Sequence, residues 1–165
     1  MKYTLVCILL LAPSMFAQTP PAAPRIVGQT AGGHLHVDPA TKLTTDTVTL
    51  TFNADDGTTA ATVEFVVRYG SDRLRQAPGV VDVIVTEVAA GDERPQMQVE
   101  ADGQPIPLVG RLRSRRSIVA SLPFADFVRL TSADIIVQQA FGTELQFGRV
   151  QVSMLRSAAA KWSRR

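Results

Sequence analysis

The sequence predicts a mainly β domain, a sandwich-like arrangement of antiparallel sheets with two short α-helices in its C-terminal half. Three observations carry that expectation. β-Branched residues alternate with polar ones in several runs, turn-forming residues punctuate those runs, and apolar spacing switches to i, i+3, i+4 at two places late in the chain.

The alternation starts near Leu43. Val48, Leu50 and Phe52 share one face and Thr47, Thr49 and Thr51 the other, and Asp55-Asp56-Gly57 closes the run with a turn. Ala61 to Tyr69 follows, with Val63, Phe65 and Val67 on one side; Arg68 through Gly79 then reads as a polar loop. Val81, Val83 and Val85 alternate with Asp82, Ile84 and Thr86 up to a second turn signal at Gly91–Pro95. Met97 to Glu100 and Gln104 to Val109 flank Asp102-Gly103, a dipeptide suited to a primed two-residue hairpin turn. Pro105 and Pro107, two residues apart, remove N–H groups from the same side of that return strand and predict an edge position. Ser117 to Leu122 is a further short strand.

Pro123 suits the first turn of a helix, and Phe124, Phe127 and Val128 fall on one helical face, with Asp126 near the favourable N-terminal end. Strand pattern returns from Asp134 to Ala140, turns at Phe141-Gly142-Thr143 and continues through Leu145 and Phe147. The last stretch is a second helix, with Leu155, Ala158, Ala159 and Trp162 as its apolar stripe. Trp162 reads either as part of a helix face packed on a sheet or as an exposed anchor.

From Met97 to Trp162 the order is a hairpin carrying Asp102-Gly103-Gln104-Pro105-Ile106-Pro107-Leu108, a strand, and Leu122-Pro123-Phe124 with Phe127, Leu130 and Ala133. A β-pair with Phe141-Gly142 and Leu145-Gln146-Phe147 then precedes the helix. This C-terminal half resembles small exported bacterial β-rich proteins of uncharacterised function. The resemblance implies a fold and a compartment, and it brings no catalytic residues with it.

Residues 1–17 read as a secretory signal peptide. Lys2 gives a positive start, Val6 and Ile8 to Leu11 a short apolar run broken by Pro13, and Ala17 a small residue for cleavage. The run is too short to anchor the chain in a bilayer, so no transmembrane segment is expected in the mature chain, and its destination is periplasmic or extracellular. Cys7 follows Val6 rather than the small residue a lipoprotein signal needs, and its loss with the signal leaves a mature chain without cysteine. Residues 18–42, rich in Pro and Gly, read as an N-terminal tether that precedes the domain or lies along it, and residues 43–165 as a single β-rich domain. The 148 residues left after cleavage are enough to bury roughly 68–70% of the unfolded surface without staples.

Charge is divided along the chain. Residues 18–103 carry six Lys/Arg and twelve Asp/Glu, whereas residues 104–165 carry ten and three. Two segments stand out as candidate sites. Arg111, Arg113, Arg115 and Arg116 put four guanidiniums into six residues between two strands, an anion-attracting tip that Arg149, Arg164 and Arg165 could extend. The alternative for these arginines is pairing with carboxylates from the acidic half. No aromatic residues are interleaved with them, which argues against single-stranded nucleic acid. In the other segment, His34, His36 and Asp38 fall at i, i+2 and i+4, where an extended chain points them the same way, toward one divalent metal.

The chain contains no G-x-S-x-G, H-E-x-x-H, Walker or G-x-G-x-x-G motif. Arg25-Ile26-Val27-Gly28 has the form of a protease activation site, yet no Gly-Asp-Ser-Gly follows it. No cofactor and no catalytic residues are therefore expected. The reading that follows is an exported, non-catalytic binding or interaction module, meeting an anionic envelope component or an acidic protein through its basic segment. The second reading is a small metal-binding protein or hydrolase using His34, His36 and Asp38.

Overall fold

The computed structural model describes residues 25–28, 30–70, 76–87, 97–108 and 110–163. The expected signal peptide, residues 18–24 and 29 of the expected tether, residues 71–75 of the expected polar loop, the whole 91–95 turn, and Arg164 and Arg165 lie outside them. The chain is mainly β, with two sheets of largely antiparallel strands and two helices in the C-terminal half, as the alternation predicted.

The larger sheet has six strands in the order β2-β3-β4-β5-β9-β8: Thr30–Val37, Thr44–Asn53, Thr59–Tyr69, Val80–Glu87, Ser117–Pro123 and Gly110–Ser114. The smaller has five in the order β1-β11-β10-β6-β7: Arg25–Val27, Thr143–Gln146, Ile136–Ala140, Met97–Ala101 and Gln104–Ile106. All pairings are antiparallel except β1 with β11.

Strand parity explains which face is buried. Val48, Leu50 and Phe52 on β3, Val63, Phe65 and Val67 on β4, and Val81, Val83 and Val85 on β5 all face inward and are at most 4% exposed. The smaller sheet and helices α1 (Phe124–Ser132) and α2 (Arg149–Ser163) supply the other side of that core. Five aromatic rings link the layers: Phe52 to Phe147 at 5.5 Å, Phe147 to Phe65 at 6.3 Å, Phe65 to Phe127 at 5.5 Å and Phe127 to Trp162 at 5.2 Å. Trp162 is thus a core residue, 1% exposed, and not a surface anchor.

The hairpin turn forms as its dipeptide predicts, with φ of 51° at Asp102 and 73° at Gly103. Asp102 Oδ1 also accepts from the N–H groups of Asp134 and Ile135, so the turn fastens the start of β10. β7 lies at an edge, where the missing N–H groups of Pro105 and Pro107 cost the sheet least.

Three expectations need correction. Arg25–Val27 and Thr30–Val37 are strands, so this part of the 18–42 segment is built into the sheets and is not a tether. Most of β2 is exposed, and an edge strand needs only backbone partners, which is why its poor apolar content did not prevent pairing. Gln151 reinforces it: the buried amide donates to Thr30 O and Thr51 O, both at 3.0 Å, and accepts from Gly148 N. Second, Pro123 ends β9 and caps α1 instead of sitting in its first turn. Third, α1 buries Phe127, Leu130 and Thr131 while Val128 stays exposed. α1 is turned toward α2, whose Arg156 donates to Thr131 O and Ala133 O at the end of α1.

Candidate interaction surface

β9 carries Ile118, Ala120 and Leu122 into the core, and the chain enters it from β8 through a tight turn at Arg115-Arg116. Gly110 roots β8: a Cβ there would lie 3.0 Å from Ile118 Cγ2 and 3.3 Å from Met97 Cβ, so the strand sits close against both sheets at that end. The turn is fixed from the other side by the Glu87 N–H, which donates to Arg116 O at 2.9 Å.

Beyond Gly110 nothing covers the strand among the described residues. All five residues of β8 are exposed, as are Arg115 and Arg116, and Leu112 is 57% exposed. Arg111 and Arg113 therefore stand on the last strand of the sheet, with the register shifting between Leu112 and Ser114, and Arg115 and Arg116 occupy its turn. Among the described residues none of the four guanidiniums has a carboxylate within 4 Å. The ion pairs formed elsewhere are Arg25–Glu144, Arg68–Asp82, Arg156–Asp134 and Lys161–Asp46. Even Glu87, next to the turn, accepts instead from the Thr143 hydroxyl, at 3.0 Å through Oε1.

Arg149 does not join this patch. It lines a groove of about 660 Å³ with Val27, Asp134, Phe147 and Arg156, and none of the β8 arginines borders that groove.

The histidine segment is arranged in part as its spacing predicted. His34 and His36 lie on the outer face of β2, opposite Thr47 and Thr45, with ring centroids 6.5 Å apart and planes within 14°. Asp38 leaves them, because the strand ends at Val37 and the carboxylate turns to its own loop. Its Oδ1 accepts from Ala40 N at 2.8 Å and its Oδ2 from the Thr41 hydroxyl at 2.8 Å. Those hydrogen bonds, that of Thr41 first, hold the Asp38 carboxyl below its usual range. Among the described residues no three His, Cys, Asp or Glu side chains converge as a metal site.

The chain matches no protein-family model, no curated protein and no solved structure.

One polar cluster carries no sequence motif. Asp46, 4% exposed, accepts from Trp162 Nε1 at 2.8 Å and pairs with Lys161 Nζ at 2.6 Å. Burial, and then the Asp46 carboxylate, push the nearby Tyr69 phenol above its usual range, while Lys161 pulls it down. Beside the cluster, a cleft of about 310 Å³ opens between β2 and α2, floored by Gly33 and Val48 and flanked by Leu35 and Met154. The signal was legible: Asp46 has the same strand parity as Val48, Leu50 and Phe52, which places a carboxylate on the core face.

Proposed function

We propose that this chain is an exported, non-catalytic interaction module of the bacterial envelope or secretome that meets an anionic partner through Arg111, Arg113, Arg115 and Arg116. The observation that carries this reading is the exposed strand edge on which four guanidiniums have no carboxylate partner among the described residues. Had described carboxylates of the acidic half neutralised these arginines, they would be a solvated structural face; with no carboxylate partner among the described residues, they hold a concentrated positive field over a short stretch of surface. Guanidinium forks suit carboxylate, sulfate and phosphate groups alike. The signal-like first seventeen residues supply the compartment.

The test is retention on a heparin matrix, comparing residues 18–165 with the Arg111/Arg113/Arg115/Arg116→Ser variant. The parent should bind at low salt and elute as ionic strength shortens the Debye length to about 10 Å near 0.1 M and below it beyond that. The variant should pass through at the lowest salt used. Equal elution of the two proteins would sink the proposal.

A further inference from the structure

The geometry points to a specific way of docking: β8 takes an acidic, extended polypeptide segment as a seventh strand of the larger sheet. This rests on the anionic-partner reading above and narrows it to one chemistry.

The first support is position. β8 ends the strand order of its sheet, so β9 satisfies one side of its backbone and no described strand satisfies the other. An edge of this kind is a template for a further strand, whose main-chain hydrogen bonds give affinity and whose alternating side chains give selectivity. The second is charge. A cross-strand neighbour of β8 faces Arg111, Leu112 and Arg113 in succession, so the complementary partner reads acidic, apolar, acidic. Leu112, 57% exposed, gives the central apolar position something to cover. Opposite charges directly across strands stabilise the pairing, and like charges oppose it.

The same charges say what does not bind there. Two β8 edges brought together in the symmetric register would place arginine against arginine, so a second copy of this chain is disfavoured at this edge relative to an acidic strand. The other edge strands, β1, β2 and β7, carry no acidic residue, so none of them complements β8. The register shift between Leu112 and Ser114 interrupts the regular edge at Arg113 and works in the same direction, since bulges and charge are how sheets refuse indiscriminate pairing. What the edge still accepts is a strand that brings the opposite charge.

The experiment uses residues 18–165 and three probes. One is the fluorescent peptide Glu-Val-Glu-Val-Glu-Val-Glu. The second is that peptide with N-methyl groups on alternate residues, prepared in both phasings so that one blocks the pairing edge. The third is heparin. Charge and side chains are the same in the peptides; only the backbone donors change. Binding of the parent peptide, weakened at least tenfold by one N-methyl phasing, lost in the four-arginine variant, and accompanied by slower amide exchange within Gly110–Ser114 is the expected result. Equal binding of the parent and both methylated peptides overturns strand addition while leaving the anionic-partner reading intact. Heparin binding without peptide binding does the same. Failure of heparin and of all peptides to bind removes both.

Discussion

Gln138 is the sharpest test of the packing argument. It points inward from β10 between Ile136 and Ala140, opposite Val99 on one neighbouring strand and Leu145 on the other, and it is fully buried. Among the described residues neither its Oε1 nor its Nε2 has a hydrogen-bond partner. An amide taken from water into an apolar site without a partner costs about 1–3 kcal/mol by mutational measures. Leucine fills a similar volume and carries no polar atom, so Gln138→Leu should stabilise the domain by about 1–3 kcal/mol. That corresponds to a melting temperature raised by roughly 2–10 °C for a domain of this size. Gln138→Ala also removes the amide but opens a cavity, and it should destabilise. Urea denaturation followed by fluorescence measures all three proteins, and the midpoints should separate at a common m-value. A leucine variant that is no more stable than the parent would refute the reasoning, because it would mean that the amide is satisfied in the folded protein.

Two further predictions come from the same ends of the sheets. Burial raises the Glu87 carboxyl above its ordinary range and the Thr143 hydroxyl only partly offsets this, so the folded chain holds that proton more tightly than the unfolded one. Its contribution is complete below the unfolded pKa and is lost as pH rises through the raised folded value. Glu87→Gln should therefore stabilise the protein at pH 7 and make no difference at low pH, as urea midpoints across pH 3–8 will show; a constant offset between the two proteins would count against it. At the β11–α2 junction, a Cβ on Gly148 would collide with the Gly28 carbonyl oxygen, a backbone atom that cannot swing aside. Gly148→Ala should cost about 1–3 kcal/mol, against a few tenths for an alanine at the open Gly79, measured by thermal denaturation.

Most of the fold was legible because its core strands bury one face only. Threonine alternating with Val48, Leu50 and Phe52 along β3 fixes both the strand and its inward side, and Asp102-Gly103 suits a turn whose positive φ angles few dipeptides adopt easily. β1 and β2 were not legible, because an edge strand held by backbone pairing and by the distant Gln151 leaves little apolar pattern of its own. The face of α1 was misjudged for a related reason: its orientation is set by α2 and Arg156, which its own nine residues do not encode. At the candidate site, the density of arginines was visible in the sequence. Their lack of carboxylate partners among the described residues was not, since pairing is decided by where the acidic half folds. Asp38 shows the opposite limit, a spacing that suits a metal undone by two loop hydrogen bonds.

The parallel pairing of β1 with β11 ties the two ends of the domain together, Arg25 opposite Glu144 and Val27 opposite Gln146. Gly28 N donates to Gln146 O, and Gln151 reaches back to Thr30 O. During synthesis the β2-to-β5 meander can zip by hairpin contacts as it emerges, but its inner face is fully covered only once β11 and α2 join β6, α1 and β10. Closure is therefore a late, non-local event, of the kind that slows folding and leaves strand edges exposed to other chains meanwhile. A chain interrupted before Thr143 would lack not just its last helix but the partner of its first strand, and should behave as an aggregation-prone half-sheet rather than a smaller stable domain.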